Sequence, residues 1–223
     1  MGGEVGDTGA ITADGVELQV IDTKAPEKGL VCHVATVASG TLTVGMAVSA
    51  QVDAKRRACI ARNHTCTHIL HAALRQVLGA HVKQAGSYVG PDRLRFDFTH
   101  FESVTPEQLK QVEELANSVI MSATATNIFE TSLAKAREEG VTALFGEKYG
   151  DAVRVVDMGG RSIELCGGTH VDNTSRVGLF KIVKESSIAA GVRRIEAVTG
   201  RGVLALIDAD RRLMDEACEA LKV

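Results

Sequence analysis

Two short stretches of the chain each contain a pair of potential metal ligands. One pair is His64 and His68 and the other is Cys166 and His170, and the members of each pair are four positions apart. Imidazole and thiolate are ligands that zinc prefers, and four nitrogen or sulfur donors complete its tetrahedral shell. The spacing therefore predicts one zinc site built from both pairs. The alternative is that the histidines are ordinary core or surface residues and that Cys166 is an inert thiol.

The two pairs need different backbone conformations to bring their ligands together. Residues four apart lie on one face of a helix, so a helix would point His64 and His68 at the same ion. Gly167 and Gly168 disfavour a helix in the second pair. They predict a glycine turn that folds Cys166 back toward His170.

A long helix is predicted over residues 55–78 and would position the first pair. Its apolar stripe recurs at helical spacing and consists of Leu70, Leu74, Val77 and Leu78. His64 and His68 lie roughly 100° or more from this stripe at 3.6 residues per turn, so we expect them to face a site. Cys66 is expected to point away from both faces and not to be a ligand.

The remaining patterns predict an α+β fold with a largely antiparallel sheet, because few connections between strands resemble β-α-β crossovers. Residues 10–53 contain short alternating strands separated by glycines, which indicates a small β-barrel or sandwich module. Further strands are expected at 81–89, 93–98, 125–131, 153–156, 162–165, 179–183 and 194–198, with helices at 105–122, 132–139 and 201–223. The predicted domains are a barrel-like module at 1–54, a zinc-binding domain at 55–200 and the start of a helical connection at 201–223.

The composition limits the classes of partner. The net charge of −3 provides no global basic field, so a nucleic acid would have to bind a local patch. The chain has no apolar run of membrane length and no signal peptide, and its five cysteines show no pairing pattern, which favours the reducing cytosol. We therefore expect a cytoplasmic protein with no membrane partner. The glycine-rich residues 2–9 lack the Lys-Ser/Thr of a phosphate-binding loop; we expect them to follow a cut from a longer protein, with Met1 as an added start.

Several stretches together resemble the editing domain of alanyl-tRNA synthetase. They are residues 62–68, 71–75, 166–170 and 190–200. Residues 2–9 resemble the glycine-rich start of the preceding barrel in that family, and residues 145–149 form a further family-like stretch. The resemblance covers nearly the whole chain and extends to the free-standing trans-editing proteins that share this domain.

The resemblance implies a hydrolase that removes Ser or Gly from tRNA(Ala). A small apolar pocket that selects alanine cannot strongly reject a smaller amino acid or one that adds a hydroxyl. A second site that hydrolyses the wrong product is therefore needed. By the family pattern, His64, His68, Cys166 and His170 bind one Zn2+. No part of the chain resembles the aminoacylation core. We therefore expect no synthetase activity from the chain itself, and we expect the rest of a parent synthetase chain as a partner.

The resemblance also implies roles for individual residues. Gln84 corresponds to a glutamine thought to orient the ester, and Thr8 is the candidate for recognising the hydroxyl of serine. Gly167 and Gly168 are expected at the substrate, and Arg193 and Arg194 at tRNA phosphate or the terminal adenosine.

Each of these roles has a simpler alternative. Gln84 can be an ordinary solvated residue, and Thr8 can be a turn residue bonded to its own backbone. Arg193 and Arg194 can form a solvated face, and neighbouring strand residues point to opposite sides, so at most one need face tRNA. Residues 55–57 are a charged helix start that can also contact phosphate. The remaining histidines are expected at the surface, and they include His71, His81 and His100.

The chemistry of such a zinc ion stays open at this point. Four protein ligands describe a closed structural site, whereas catalytic zinc keeps an open position. Either zinc accepts a fifth ligand, or water or substrate replaces one of the four protein ligands. Alternatively, zinc only positions the substrate amine, and a nearby group activates the water. Two rival functions also remain: a structural-zinc tRNA-binding module without catalysis, and a generic metal hydrolase. The second rival would need a general base such as the Glu of a His-Glu-x-x-His helix, but Thr65 follows His64.

Overall fold

The structure is a computed structural model that describes residues 3–27, 29–143 and 149–222. Of the family-like stretch at 145–149, residues 145–148 lie outside the described residues. The helices and strands, in chain order, are β1 (Gly9–Ala13), β2 (Val16–Glu27), β3 (Leu30–Ser39), β4 (Ser49–Val52), α1 (Ala54–Leu78), β5 (Gln84–Val89), β6 (Leu94–Thr99), α2 (Pro106–Met121), β7 (Asn127–Ser132), α3 (Leu133–Glu138), β8 (Ala152–Asp157), β9 (Ile163–Leu165), β10 (Phe180–Ala189), β11 (Val192–Thr199) and α4 (Arg201–Leu221). This mixture of helices and antiparallel strands confirms the predicted α+β class.

The N-terminal strands form a four-stranded antiparallel sheet in the order β3-β2-β1-β4. The turn between β1 and β2 contains Gly15 at φ 68°, a conformation that glycine adopts without steric cost. The predicted barrel-like shape is wrong in one respect: β3 and β4 are unpaired edges, so the sheet formed by the described residues is open. Strand β1, which the alternation did not predict, is one of the two central strands of this sheet.

Helix α1 begins after Asp53, whose side chain accepts a hydrogen bond from Arg56 N at 3.0 Å, as expected of an N-cap residue. The helix is buried nearly all round, because every residue from 60 to 74 except Arg62 and Ala72 is buried. The expectation that Cys66 points away from the apolar stripe is therefore wrong. Cys66 is four positions before Leu70 and lies in the same core, where burial raises the pKa of its thiol.

The central sheet has the order β10-β11-β6-β5 and is antiparallel throughout. Helices α1 and α2 share the main core with this sheet, whose largest buried side chains include Phe96, Phe98 and Ile195. Helix α2 begins with a capping box, in which Thr105 Oγ1 accepts from Gln108 N at 3.2 Å and Gln108 Oε1 accepts from Thr105 N at 2.9 Å. The sheet thus provides a rigid base under the histidines of α1.

A separate three-stranded sheet has the order β7-β8-β9. It packs with α3 around a second core of Ala136, Val153, Val155 and Leu165. Sequence periodicity did not reveal that the strands after α1 divide into two sheets. The division matters because β9 ends at Leu165 and presents Cys166 to the histidines of α1.

Helix α4 follows β11 directly, and Val203 is its buried residue. Its apolar residues Leu204, Ile207 and Leu213 are each more than half exposed. The predicted boundary at residue 200 therefore coincides with a change from packed sheet to exposed helix, although the division into domains remains a prediction. None of the described helices combines the length and the apolar character needed to cross a membrane.

Candidate metal centre and adjoining cleft

Four side chains from two distant parts of the chain converge on one point. His64 and His68 come from the buried middle of α1, and Cys166 and His170 come from the loop after β9. One potential ligand atom from each of the four residues lies within 4.8 Å of all the others. Cys166 Sγ is 3.4 Å from His64 Nε2 and 3.3 Å from His170 Nε2. The two predicted pairs therefore form one cluster that can hold a metal ion.

The distances and donors of this cluster fit a tetrahedral ion of the zinc type. Bonds of about 2.0–2.1 Å to nitrogen and about 2.3 Å to sulfur place ligand atoms about 3.3–3.6 Å apart in a tetrahedron. For a sulfur–nitrogen pair the separation is about 3.5–3.6 Å, and the two observed distances of 3.4 and 3.3 Å are slightly shorter. In addition, His68 Nε2 is buried and has no hydrogen-bond partner among the described residues. A buried polar atom of that kind requires a partner, and an ion at the centre of the cluster would supply it.

Two carboxylates, the partly buried Glu4 and the buried Glu164, contact the other ring nitrogens of the helix histidines. Glu4 Oε2 lies 2.5 Å from His64 Nδ1, and Glu164 Oε2 lies 2.7 Å from His68 Nδ1. When Nδ1 carries the proton and donates it to the carboxylate, Nε2 keeps its lone pair for a metal. Both histidines are therefore oriented with the coordinating nitrogen toward the centre of the cluster.

The thiol of Cys166 is ionised at neutral pH. Burial opposes the thiolate, but the ring nitrogens of His170 and His64 beside Cys166 Sγ outweigh burial and lower the pKa of Cys166 to about 3. The thiolate is the form of cysteine that binds metals. Glu4 is ionised as well: burial opposes the charge, but hydrogen bonds from His64 and Thr169 lower its pKa to about 2.

The loop that carries Cys166 and His170 is held from both sides. Arg154 Nη1 donates to the carbonyl oxygens of Cys166 at 2.7 Å and Gly168 at 2.8 Å. On the other side, Glu4 accepts from Thr169 N at 2.9 Å and from Thr169 Oγ1 at 2.6 Å. A Cβ on Gly168 would lie 2.1 Å from His64 Cε1, so the glycine is needed for the loop to approach α1. The predicted glycine turn therefore has a steric reason.

An open cleft of about 560 Å³ borders the cluster at Gly168, Thr169 and His170, and its volume is typical of ligand sites. One wall comes from the first turns of α1 and the other from the loop and the residues after it. Four arginines line the cleft, and they are Arg57, Arg62, Arg154 and Arg176.

No hydrogen bond joins Gln84 or Thr8 to the cluster among the described residues. Gln84 begins β5 opposite Phe98, and its side chain makes no hydrogen bond within the described part of the chain. Thr8 lines a separate depression of about 230 Å³ next to the N-terminal sheet, and its carbonyl accepts from Asp53 N at 2.8 Å. Arg57 borders both this depression and the cleft, so the two cavities are neighbours. The proposed roles of Gln84 and Thr8 remain predictions.

Arg193 and Arg194 are both held in ion pairs with two hydrogen bonds. Arg193 donates to the two carboxylate oxygens of Glu185 at 2.6 and 2.8 Å. Arg194 donates to those of Asp97 at 2.7 and 2.8 Å. Each pair occupies Nε and Nη2 of its arginine, so N–H donors remain, but the positive charge is already matched by a carboxylate. The proposed contact of Arg193 and Arg194 with tRNA remains a prediction, and Glu185 and Asp97 already neutralise their charges.

Several residues of the site were not predicted from the sequence. Glu4, Glu164 and Arg154 are the partners that orient the ligands and their loop. The expectation that His71 lies at the surface is also wrong, because it is buried and its Nδ1 is 3.0 Å from Glu164 Oε1. One signal was available for Glu164: it is a charged residue between Ile163 and Leu165, two positions before Cys166, in a strand whose neighbours are apolar.

Comparisons with known families assign two parts of the chain. Residues 153–196, which include Cys166 and His170, match the family described as the threonyl and alanyl tRNA synthetase second additional domain. Residues 1–56, which include the N-terminal sheet, match the class II (A) tRNA synthetases. The residues of α1 that contain His64 and His68 lie between the two matches.

The chain is also similar to individual proteins over nearly all of its length. It is 55% identical to the alanine–tRNA ligase of Acetivibrio thermocellus, 52% identical to that of Pelotomaculum thermopropionicum and 51% identical to that of Desulforamulus reducens. Each match covers 99% of the chain and 25% of the relative, so the chain spans about a quarter of the length of these relatives. The chain is therefore related, over 99% of its length, to one segment of the alanyl-tRNA synthetases.

Proposed function

We propose that the chain hydrolyses the ester of tRNA(Ala) charged with Ser or Gly and that Zn2+ is its cofactor. The observation that carries the proposal is the convergence of three imidazoles and one thiolate at the end of an open, arginine-lined cleft. A site for a charged tRNA needs both features, because the ester must reach a reactive centre while the RNA backbone is held beside it. The relation to alanine–tRNA ligases supports this substrate.

The residues of the chain have distinct parts in this proposal. Glu4 and Glu164 orient His64 and His68, and Arg154 fixes the loop that carries Cys166. A zinc ion held by the cluster would polarise the ester carbonyl or lower the pKa of a bound water. Because four protein donors complete a tetrahedral shell, reaction at the ion requires either a fifth ligand or the departure of one side chain. Otherwise zinc positions the substrate amine, and a nearby group activates the water.

The complete set of four protein donors favours a second candidate function. Closed sites with four Cys or His ligands are typical of structural zinc, so the chain can instead be a structural-zinc module that binds tRNA without hydrolysing it. Under either function, the partners are tRNA(Ala) and the rest of a parent synthetase chain, and the location is the cytoplasm. The proposal keeps three further assignments. Gln84 takes part in catalysis, Gly167 and Gly168 contact the substrate, and Arg193 and Arg194 contact tRNA.

Incubation of the zinc-loaded chain with Ser-tRNA(Ala), Gly-tRNA(Ala) and Ala-tRNA(Ala) tests the proposed hydrolysis. We expect release of Ser and Gly well above the rate without protein, and little release of Ala. The measurement is the amount of free amino acid over time. Binding of all three tRNAs with no release would reject hydrolysis in favour of the structural-zinc module.

The role of Thr8 predicts a difference between substrates. If its hydroxyl contacts the serine side chain, Thr8→Val should lower kcat/KM for Ser-tRNA(Ala) by about 1–2 kcal/mol in transition-state free energy, the usual cost of an unmade polar contact, and should affect Gly-tRNA(Ala) less. Thr12→Val is a matched control, because Thr12 is exposed on β1, the strand that directly follows Thr8. Equal losses on both substrates would show that Thr8 has only a structural role.

A further inference from the structure

The arginines of the cleft differ in how far their charges are already neutralised. Arg57 donates to both carboxylate oxygens of Asp7, so its charge is paired. Arg62 and Arg154 have no carboxylate partner among the described residues. Arg62 Nη2 donates to Cys59 Sγ at 3.1 Å, and Arg154 donates to backbone carbonyls. Two half-buried cations next to the metal cluster are therefore without a counter-charge in the described part of the chain.

Arg176 adds a third available cation at the other wall of the cleft. Its Nε lies 3.0 Å from Asp172 Oδ1, but both side chains are 69% exposed, and exposed pairs of this kind bind weakly. Asp172 is the one carboxylate among the residues that line the cleft. The lining therefore has a clear excess of positive charge, although the net charge of the chain is −3.

The remaining lining of the cleft is small and partly apolar. Ala54, Ala58 and Ala61 present one face of α1, and Gly168 continues the surface toward the cluster. Small side chains leave room for a flat ring, while the guanidinium groups around them can donate to phosphate oxygens. Arg154 keeps free N–H donors for this purpose, since a guanidinium has five and the two carbonyl contacts use one nitrogen.

We propose that this cleft binds the backbone phosphates of the RNA strand that carries the ester, with Arg62, Arg154 and Arg176 as its phosphate contacts. The inference rests on the proposed function, because it takes the tRNA acceptor strand as the occupant. It assigns phosphate binding to arginines beside the metal cluster, whereas Arg193 and Arg194 are held by Glu185 and Asp97. Arg62 and Arg176 are positioning residues, which hold the strand so that its end reaches His170.

Arg62→Gln and Arg176→Gln test this assignment. The probe is an RNA hairpin of the acceptor stem with its single-stranded 3′ end and no attached amino acid. The measurement is the Kd of this hairpin for the zinc-loaded protein at several salt concentrations. Each variant should bind about tenfold more weakly, and the slope of log K against log salt should fall by about 0.7 for each lost single-strand phosphate contact. Arg137→Gln is the matched control, since Arg137 is exposed on α3 and does not line the cleft.

Two further experiments complete the test. The first distinguishes an RNA strand from a free nucleotide as the source of phosphate, and the second distinguishes this inference from the proposed hydrolysis. A hairpin without the single-stranded end should bind wild type and variants alike, whereas AMP that competes as well as the hairpin would overturn the assignment to an RNA strand. With Ser-tRNA(Ala), the variants should raise KM about tenfold and leave kcat and zinc content nearly unchanged. If wild type hydrolyses the ester and neither variant changes the slope or KM, the inference fails and the proposed function stands. If no hydrolysis occurs but the slopes fall as expected, the cleft binds RNA and the proposed function fails.

Discussion

Cys166→Ala is expected to remove the metal from the chain and to abolish hydrolysis of Ser-tRNA(Ala). Cys166 is the one sulfur donor of the cluster, and its low pKa makes it the negatively charged ligand. Removal of a residue that only supports a ligand lowers metal affinity by about 10–100-fold. Removal of the ligand Cys166 itself should therefore lower zinc affinity by more than about 100-fold. Wild type should carry close to one zinc per chain by metal analysis, and the variant should lose most of it on dialysis.

Cys66→Ala is the control for this experiment. Cys66 lies on the same helix as the two histidine ligands but is fully buried in the main core. Its replacement should therefore leave a small cavity that lowers the free energy of unfolding by about 1 kcal/mol, while zinc content stays near one. A Cys166→Ala protein with full zinc content would contradict the assignment of the cluster as the metal site.

Removal of zinc also separates the two candidate functions. If the metal-free chain still binds the tRNA but no longer hydrolyses the ester, the metal takes part in the reaction and the structural-zinc module is rejected. If the metal-free chain loses the fold and all binding together, the ion stabilises the structure as structural zinc does.

The four members of the candidate metal cluster could be predicted from the sequence because each pair depends on local geometry. His64 and His68 share a helix face through their spacing, and the glycines after Cys166 imply a turn. Both signals need only a few neighbouring residues. The pairing of β6 with β11, by contrast, joins residues about a hundred positions apart, and local periodicity cannot show which strands meet.

The partners of the ligands could not be predicted for the same reason. Glu4 and His64 are 60 positions apart and meet only because the residues after Gly3 run along the edge of β5, where Val5 N donates to Val89 O at 3.0 Å. The ion pairs of Arg193 and Arg194 likewise depend on strand register. Their charges suggested a tRNA surface, but register places a carboxylate beside each of them.

The position of His71 shows a further limit of periodicity. A stripe of four leucine and valine residues suggested that one side of α1 is packed, but α2, β5, β6 and β11 all contact this helix. His71 is therefore buried, with its ring 5.3 Å from that of Phe96, and it needs Glu164 as a partner. A polar residue in a helix that is buried all round has to be satisfied by another element, and the sequence of the helix alone does not identify that element.

Glu164→Gln is expected to have the second large effect, on both stability and metal affinity. The buried carboxylate lies 2.7 Å from His68 Nδ1 and 3.0 Å from His71 Nδ1, and it accepts from Ser162 Oγ at 3.3 Å. Burial opposes its charge, but His68 and His71 keep its pKa well below the usual range. A glutamine amide has one acceptor oxygen and would place its NH2 group against a second donor. We therefore expect a loss of about 2–4 kcal/mol in the free energy of unfolding, measured by denaturant titration.

Comparison of the metal-free and the zinc-loaded protein then shows what Glu164 does. If the carboxylate orients His68 toward the ion, Glu164→Gln should lower zinc affinity by about 10–100-fold, and the loss of stability should be larger with zinc than without it, because the loaded native state loses binding free energy as well. Ser162→Ala is the control, since it removes only the longest of the three contacts and should cost about 1 kcal/mol in both states. An equal loss for Glu164→Gln with and without zinc would mean that the carboxylate only stabilises the core between β9 and α1. In that case His68 would be oriented by the packing of the helix itself, and the coupling between Glu164 and the metal would have to be given up.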